Sequence, residues 1–436
     1  MTTVADPRAA ASRLVARTRG LELPPGGRPD LIGAAGQSGL LWSSAGSGFA
    51  GRGTALRLEL PDGLVDPEGT RIVTEALGAI GGPSATGAGP VALGALPFDR
   101  AAPGELVVPS ALLAFDGTRA WITTVSDRDD SSGTEHAESL AGDLVTAALR
   151  SSGAERRWPD APDGFELRSS RPHREWVAAV AEAVEAVERG ELDKVVLARR
   201  VEVLANAPLP TGQILERLAA LYPTCMLFRV GSFLGASPEL LVSRRAATVT
   251  SHPLAGTVAR SGDAAADRAL VEGLLASSKD RAEHAFVVED LRSRLSPWCC
   301  ELEVPDRPSV LELRNVSHLG TRLTGRLAAG SAGPSALQLA AALHPTPAVA
   351  GSPTDAATRY IASVEGLDRG CYAGPVGWMD ASGDGEWAIG IRSAVVEGSR
   401  AELFAGVGVV AGSDPMAELA ETQLKLQALL AAVVRP

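Results

Sequence analysis

The sequence predicts an α+β protein whose sheets are at least partly antiparallel, and three features predict it. Toward the C-terminus, residues 372–379, 386–396 and 400–410 read as three strands joined by short turns at Asp384-Gly385 and Glu397-Gly398, so that neighbours run antiparallel. Helical periodicity occurs in separate blocks, as at 174–189, where Trp176, Val177, Val180, Val184 and Val187 recur at the spacing of one helix face. Between these blocks, strands and helices interleave without the regular βαβ spacing of a parallel sheet.

The remaining elements follow in order. Residues 1–165 are rich in Gly, Ala and Pro, with short apolar runs such as Leu56–Leu60 and Leu106–Phe115 that read as strands in a variable, β-rich part. No chemical motif stands out there. Residues 151–173 look like a loop or linker. From 193 the pattern becomes a strand, with Val195, Leu197, Val201 and Val203 on one face and Lys194, Val196, Ala198 and Arg200 on the other. Strands are expected at 225–231, 239–243 and 246–250, and helices at 265–276 and 280–295. A last helix starts near Ser413 or Asp414 as cap, takes Pro415 at its first position, and runs to about Val434.

Composition narrows the function. With 436 residues, 45% hydrophobic and 21% charged, the chain can bury a large core. A net charge of -11 argues against a nucleic-acid partner, because binding phosphate backbones requires a basic face. Cys225, Cys299, Cys300 and Cys371 form no disulfide framework, which fits a reducing cytoplasm. No apolar run reaches membrane-spanning length, so no membrane partner is expected, and the N-terminus lacks the apolar core of a secretory signal.

Lysine occurs only at 194, 279 and 425, leaving 38 arginines among 41 basic residues. In such an Arg-biased chain, the surviving lysines mark places where a compact cation able to lose its proton is required, or they are chance retentions at solvated positions. Their neighbours bear on the choice. On the final helix Glu418, Glu421 and Lys425 share a stripe, and the helix at 280–295 carries Asp280, Glu283 and His284 on another. Each stripe could be a solvated face. Brought together, opposed carboxylates need a cation between them, and hard oxygen donors suit magnesium. Arg392 has small neighbours at Ala388, Gly390 and Ala394, with Gly406 and Gly408 on the next strand; this suggests a pocket where a ligand carboxylate meets the guanidinium. Glu239 follows GASP at a strand start, and His252, His318 and His344 sit in turn-adjacent settings. No glycine-rich phosphate loop, zinc-type Cys/His spacing or nucleophilic serine turn is present.

Nine segments in order carry a resemblance to a known family: DKVVLAR (193–199), GASPELLV (235–242), HPLAGT (252–257), KDRAEHAFVVEDLR (279–292), NVSHLGT (315–321), LHPTPAVAGSP (343–353), RGCYAGPVGWMD (369–380), GDGEWAIGIRSA (383–394) and LFAGVGVVAGSDPMAELAETQLK (403–425). Together, over about 170–435, they resemble the chorismate-utilising enzymes, which include isochorismate, salicylate, anthranilate and aminodeoxychorismate synthases. The resemblance implies one chorismate-binding enzyme domain over 1–436, built as a sandwich of large antiparallel sheets flanked by helices, with chorismate and Mg2+ in a cleft. It implies Glu283 and Glu421 as direct magnesium ligands, with Asp280 and Glu418 acting through water or behind them. Arg392 would pair with the enolpyruvyl carboxylate, helped by Tyr372 and the backbone of Gly406 and Gly408. Gly256, Thr257, Ile391 and Lys425 would line the cleft, with His318 close to the ring. Lys194 would be the general base that activates water for attack at ring carbon 2, and Glu239 the general acid for the hydroxyl leaving carbon 4.

Members that attack through an enzyme lysine carry it at the third position of PxxGT, where this chain has Ala255. By resemblance, the lysine of DKVVLAR marks the water-using branch, so no glutamine amidotransferase partner is expected, and the chain is expected to act as a monomer. Ile391 before Arg392 resembles the isochorismate-forming members; the rival activities are conversion to salicylate plus pyruvate and a non-catalytic binding role. The expected product would feed siderophore, salicylate or menaquinone biosynthesis.

Overall fold

The computed structural model describes residues 6–82, 88–149, 158 and 161–434. Two large antiparallel sheets dominate these residues, one of 12 strands and one of 9, with a third of 3 strands at the side. Part of the expected 151–173 linker lies outside the described residues. The remainder is not all loop, because Phe165–Ser169 is a strand that pairs with Val201–Ala205. Its mostly exposed side chains lack the apolar alternation that marks a half-buried strand, so its pairing comes from the edge it joins.

Alternation fixes how the sheets pack. In the 12-stranded sheet Trp42, Phe49, Phe228 and Phe233 point toward the second sheet, where Leu93, Val376, Trp378 and Ala388 meet them. On the opposite face Leu41, Ala50, Leu227 and Leu234 pack beneath helices Ser131–Ala148, Thr211–Leu221 and Pro415–Val434. Strands from the first 165 residues take part in both sheets. The run Leu106–Phe115 is two strands, Gly104–Val108 in the smaller sheet and Ala111–Phe115 in the larger. Pro109, which has no N–H for a ladder, stands at the break.

The same kind of break corrects the expectation of one strand over 386–396. Gly385–Ile389 belongs to the 9-stranded sheet and Ser393–Glu397 to the 12-stranded sheet. The stretch it pairs with does likewise: Phe233–Ser237 pairs in the larger sheet and Leu240–Arg245 in the smaller. The two form one antiparallel ribbon that bends from sheet to sheet at Pro238-Glu239 and Gly390–Arg392. Hydrogen bonds hold the bend: the Ala236 N–H donates to the Arg392 carbonyl (3.1 Å) and the Ile389 N–H to the Glu239 carbonyl (3.1 Å). Ser237 Oγ donates to the Ile389 carbonyl (2.6 Å) and accepts from the Glu239 N–H (3.2 Å).

Because Ser237 is fully buried, Ser237→Ala takes the acceptor from the Glu239 N–H and one of two donors from the Ile389 carbonyl, which keeps the Ile391 N–H (2.7 Å). The expected cost is about 1–3 kcal/mol in chemical denaturation; an unchanged unfolding midpoint would show that the bend does not depend on this hydroxyl.

Candidate functional site

A cleft opens beside the bent ribbon, and fourteen of the residues expected from the sequence line it: Glu239, Gly256, Thr257, Asp280, Glu283, His318, Tyr372, Ile391, Arg392, Gly406, Gly408, Glu418, Glu421 and Lys425. Lys194 does not line it directly, but its buried ammonium reaches Glu283 Oε1 at 2.9 Å. The ribbon supplies Glu239 from one bend and Arg392 from the other. Arg392 has φ of 52°, a left-handed conformation that costs a non-glycine residue about 1 kcal/mol or more, and the surrounding hydrogen bonds hold it there.

Two helices deliver the acids. Helix Ser278–Leu295 begins at Ser277, whose Oγ accepts from the Asp280 N–H (3.1 Å), and it is anchored by buried Val287, Leu291 and Leu295. That leaves Asp280 and Glu283 facing the cleft. Helix Pro415–Val434 starts with Asp414 accepting from the Met416 N–H (3.1 Å) and presents Glu418, Glu421 and Lys425. Every lysine of the chain pairs with one of these acids: Lys194 with Glu283, Lys279 with Glu418 (3.5 Å) and Lys425 with Glu421 (2.6 Å). Lys425 Nζ also donates to the Gly406 carbonyl (2.9 Å).

Electrostatics divides the acids by role. Burial pushes the Glu239 carboxyl up to about 8, against the opposing pull of the Leu254 N–H and of the Lys194 and Lys425 ammonium groups, so it holds its proton at neutral pH. Burial alone would also raise Glu283, but Lys194 beside it, with Lys425 and Lys279 farther off, holds its carboxyl below the ordinary value. Glu418 is raised by burial and by its neighbour Glu421. His318 is neutral, since burial and the Arg392 and Lys425 cations push its pKa well down. Its Nδ1 lies 3.0 Å from Thr257 Oγ1 and its Nε2 3.4 Å from the Arg392 guanidinium; with Nε2 accepting from Arg392, the proton is assigned to Nδ1. His318 sits within strand Val316–Gly320 rather than beside a turn.

Arg392 is buried, and its protein partners are the Lys425 carbonyl (3.2 Å) and His318. Among the described residues no carboxylate lies within ion-pair reach of it, so an incoming carboxylate would complete its pairing. Tyr372 stacks on Phe404 at 5.0 Å, and burial raises its hydroxyl to about 12, keeping it a hydrogen-bond donor. The two glycines have different neighbours. A Cβ at Gly408 would stand 2.5 Å from Glu283 Oε1 and 2.8 Å from Lys194 Cε, so its missing side chain makes room for the ion pair. At Gly406 the space is limited by Tyr372 Oη, 3.2 Å from the same kind of position. The sequence reading omitted Phe404, Val349 and Arg369 from the cleft wall, although Arg369 opens the RGCYAGPVGWMD segment.

In chemical terms the cleft combines a protonated carboxylic acid, a buried lysine, an arginine open to an anion and two carboxylates suited to a hard cation. No group of three metal-ligating side chains converges among the described residues. Also among them, no helix is long and apolar enough to cross a membrane.

Comparison with known proteins places these features. The profile of chorismate binding enzymes matches residues 66–434. The salicylate biosynthesis isochorismate synthase of Pseudomonas aeruginosa is 44% identical over 301 residues, covering 68% of this chain and 62% of the relative. A putative isochorismate synthase of Aeromonas hydrophila is 41% identical, with 64% of its length matched, so this chain spans under two thirds of either relative. The isochorismate synthase DhbC of Bacillus subtilis is 36% identical over 79% of this chain and 81% of its own. Among solved structures, the menaquinone-specific isochorismate synthase of Escherichia coli superposes with a TM-score of 0.76 at 27% identity, covering 96% of this chain and 94% of that one.

The raised Glu239 carboxyl has a consequence for stability. A folded-state value of about 8 against an ordinary 4.5 means that the folded chain binds more protons than the unfolded chain across that window. The contribution of Glu239 to stability is therefore fully present below about 4.5 and is lost as pH rises through about 8. Subtracting the stability-pH curve of Glu239→Gln from that of the native chain should expose this slope; parallel curves would place the carboxyl at an ordinary value.

Proposed function

Because the chain belongs to the family of chorismate binding enzymes, we propose that it is an isochorismate synthase that converts chorismate to isochorismate. One observation carries the proposal: a carboxylic acid held protonated at neutral pH shares its surroundings with a buried lysine and an arginine that no carboxylate of the described residues occupies. Chorismate has two carboxylates and a ring hydroxyl that must leave. Arg392, with the Tyr372 hydroxyl, suits the enolpyruvyl carboxylate, while Lys425 and the Gly256-Thr257 wall suit the ring. Lys194 takes a proton from water as its oxygen bonds to ring carbon 2; the ring double bonds shift, the bond from carbon 4 to oxygen breaks, and Glu239 protonates the departing hydroxyl. One water enters and one leaves, which makes the net reaction an isomerisation.

The two proton carriers start from different conditions. Glu239 already holds the proton it must give. Lys194 is engaged with Glu283, and that pair must open and the ammonium must shed its proton before Lys194 can act as a base. His318, neutral and donating to Thr257 from Nδ1, leaves its other nitrogen to orient Arg392.

Magnesium is the cofactor of this reading. Its donor set fits, since magnesium takes one or two carboxylates and completes its shell with water and substrate oxygen; Glu283 and Glu421 would hold it, with Asp280 and Glu418 behind them. When bound, it supplies positive charge for the ring carboxylate. The same reading has the chain working as a cytoplasmic monomer without an amidotransferase, its product passing to siderophore, salicylate or menaquinone biosynthesis.

Incubation with chorismate and Mg2+, followed by chromatography, should yield isochorismate. Salicylate with pyruvate would support the salicylate-forming alternative, and unchanged chorismate would refute both enzymatic readings. Lys194→Ala and Glu239→Gln should each lower kcat by roughly 100- to 10,000-fold. Arg392→Met should raise KM for chorismate by about 10- to 100-fold; a normal KM would remove it from the carboxylate role. By calorimetry, Glu421→Gln should weaken Mg2+ binding at least about tenfold, and unchanged binding would place the ion elsewhere.

A further inference from the structure

Strand Lys194–Ala205 has a continuous neighbour on one side, Arg400–Val409, but only fragments on the other. Gly351–Ser352 pairs with its first two residues, and Phe165–Ser169 joins from Val201 onward. Between them the outward backbone groups of Val196 and Ala198 meet no strand over their full length. Val196 N–H still reaches the Ala350 carbonyl (2.8 Å). Side chains satisfy the other three groups: Arg369 donates to the Val196 carbonyl (2.8 Å), Glu365 accepts from the Ala198 N–H (2.8 Å), and the Trp176 indole donates to the Ala198 carbonyl (3.4 Å).

Glu365 and Arg369 form a two-point ion pair at 2.7 and 2.6 Å, with both side chains 3% exposed or less. Arg369 also donates to the Val349 carbonyl (2.9 Å), lies over the Phe98 ring at 4.3 Å, and receives the Tyr372 N–H on its own carbonyl (2.9 Å). A desolvated pair of this kind adds little stability over an apolar replacement, so its placement calls for another account. Its bonds end on the strand that carries Lys194, on the segment that carries Val349, and on the turn that carries Tyr372.

We propose that Glu365 and Arg369 are positioning residues, a clamp of side chains standing in for a missing strand that holds Lys194 and Tyr372 in register across the cleft. The inference rests on the isochorismate synthase reading for what is positioned, but not for the clamp itself. Neither residue needs to touch the reacting atoms.

The test uses the full-length chain with Glu365→Leu, Glu365→Gln and Arg369→Lys. Glu365→Leu removes the acceptor for the Ala198 N–H. Hydrogen exchange over 195–199 should quicken at least about tenfold while strand Met226–Val230 of the same sheet keeps its protection. kcat should fall about 30- to 100-fold with KM changed less than about threefold. Glu365→Gln keeps an oxygen facing Ala198 and should recover the protection and most of kcat, which a purely structural role would not require. Arg369→Lys cannot span both carbonyls and the carboxylate together, and should reproduce the kcat loss if Glu365→Leu fails to fold. Native kcat in folded Glu365→Leu or Arg369→Lys, or loss of protection throughout the sheet, would overturn the clamp. If the wild-type chain leaves chorismate unchanged, the functional reading fails, and the exchange comparison still decides whether the clamp exists.

Discussion

The bent ribbon is the constraint on which the site depends. Two antiparallel segments, Phe233–Arg245 and Gly385–Glu397, leave one sheet and enter the other together, tied across the bend by backbone bonds and by the buried Ser237 hydroxyl. A sheet interior has no room for polar side chains without partners. A bend does, because the ladder is interrupted and side chains can turn into the space between layers. Glu239 and Arg392 occupy its two halves, so the distance between acid and anion anchor is set by backbone pairing rather than by flexible loops.

Around that ribbon the charges are arranged as neutral or near-neutral groups. Three lysines meet three of the cleft's carboxylates, and the buried Glu239 stays protonated. Low dielectric surroundings make uncompensated charge costly, and among the described residues the buried Arg392 guanidinium meets no carboxylate. That guanidinium is where an anion of the right shape gains most.

Much of the chemistry was legible in the residues, and the geometry less so. The helix at 174–189 announces itself through its periodic apolar face, and the structure has the helices expected at 174–189, 265–276 and 280–295 at His173–Glu188, Ala264–Ala276 and Ser278–Leu295. The acidic stripes and three rare lysines identify cleft residues because their types are unusual for their surroundings. The ribbon's bend was not legible. Apolar residues are buried on both sides of Gly390, so a strand that changes sheets keeps the appearance of one strand. Glu365 and Arg369 were hidden for another reason: an acid and a base four residues apart read as an ordinary local ion pair. Only the gap beside Val196 and Ala198 gives them a different meaning, and a gap between strands distant in sequence leaves no local trace.

The confinement of lysine to the cleft also affects how the molecule responds to reagents. Elsewhere on the described surface cations are guanidinium groups, which acylating and reductive-alkylating agents attack poorly. Of the three side-chain amines, Lys194 is fully buried and Lys425 mostly shielded, whereas Lys279 stands about half exposed at the cleft wall beside Glu418. Among side-chain amines, labels are therefore steered to Lys279 at the rim of the site, where a tethered fluorophore or electrophile would report on entry to it.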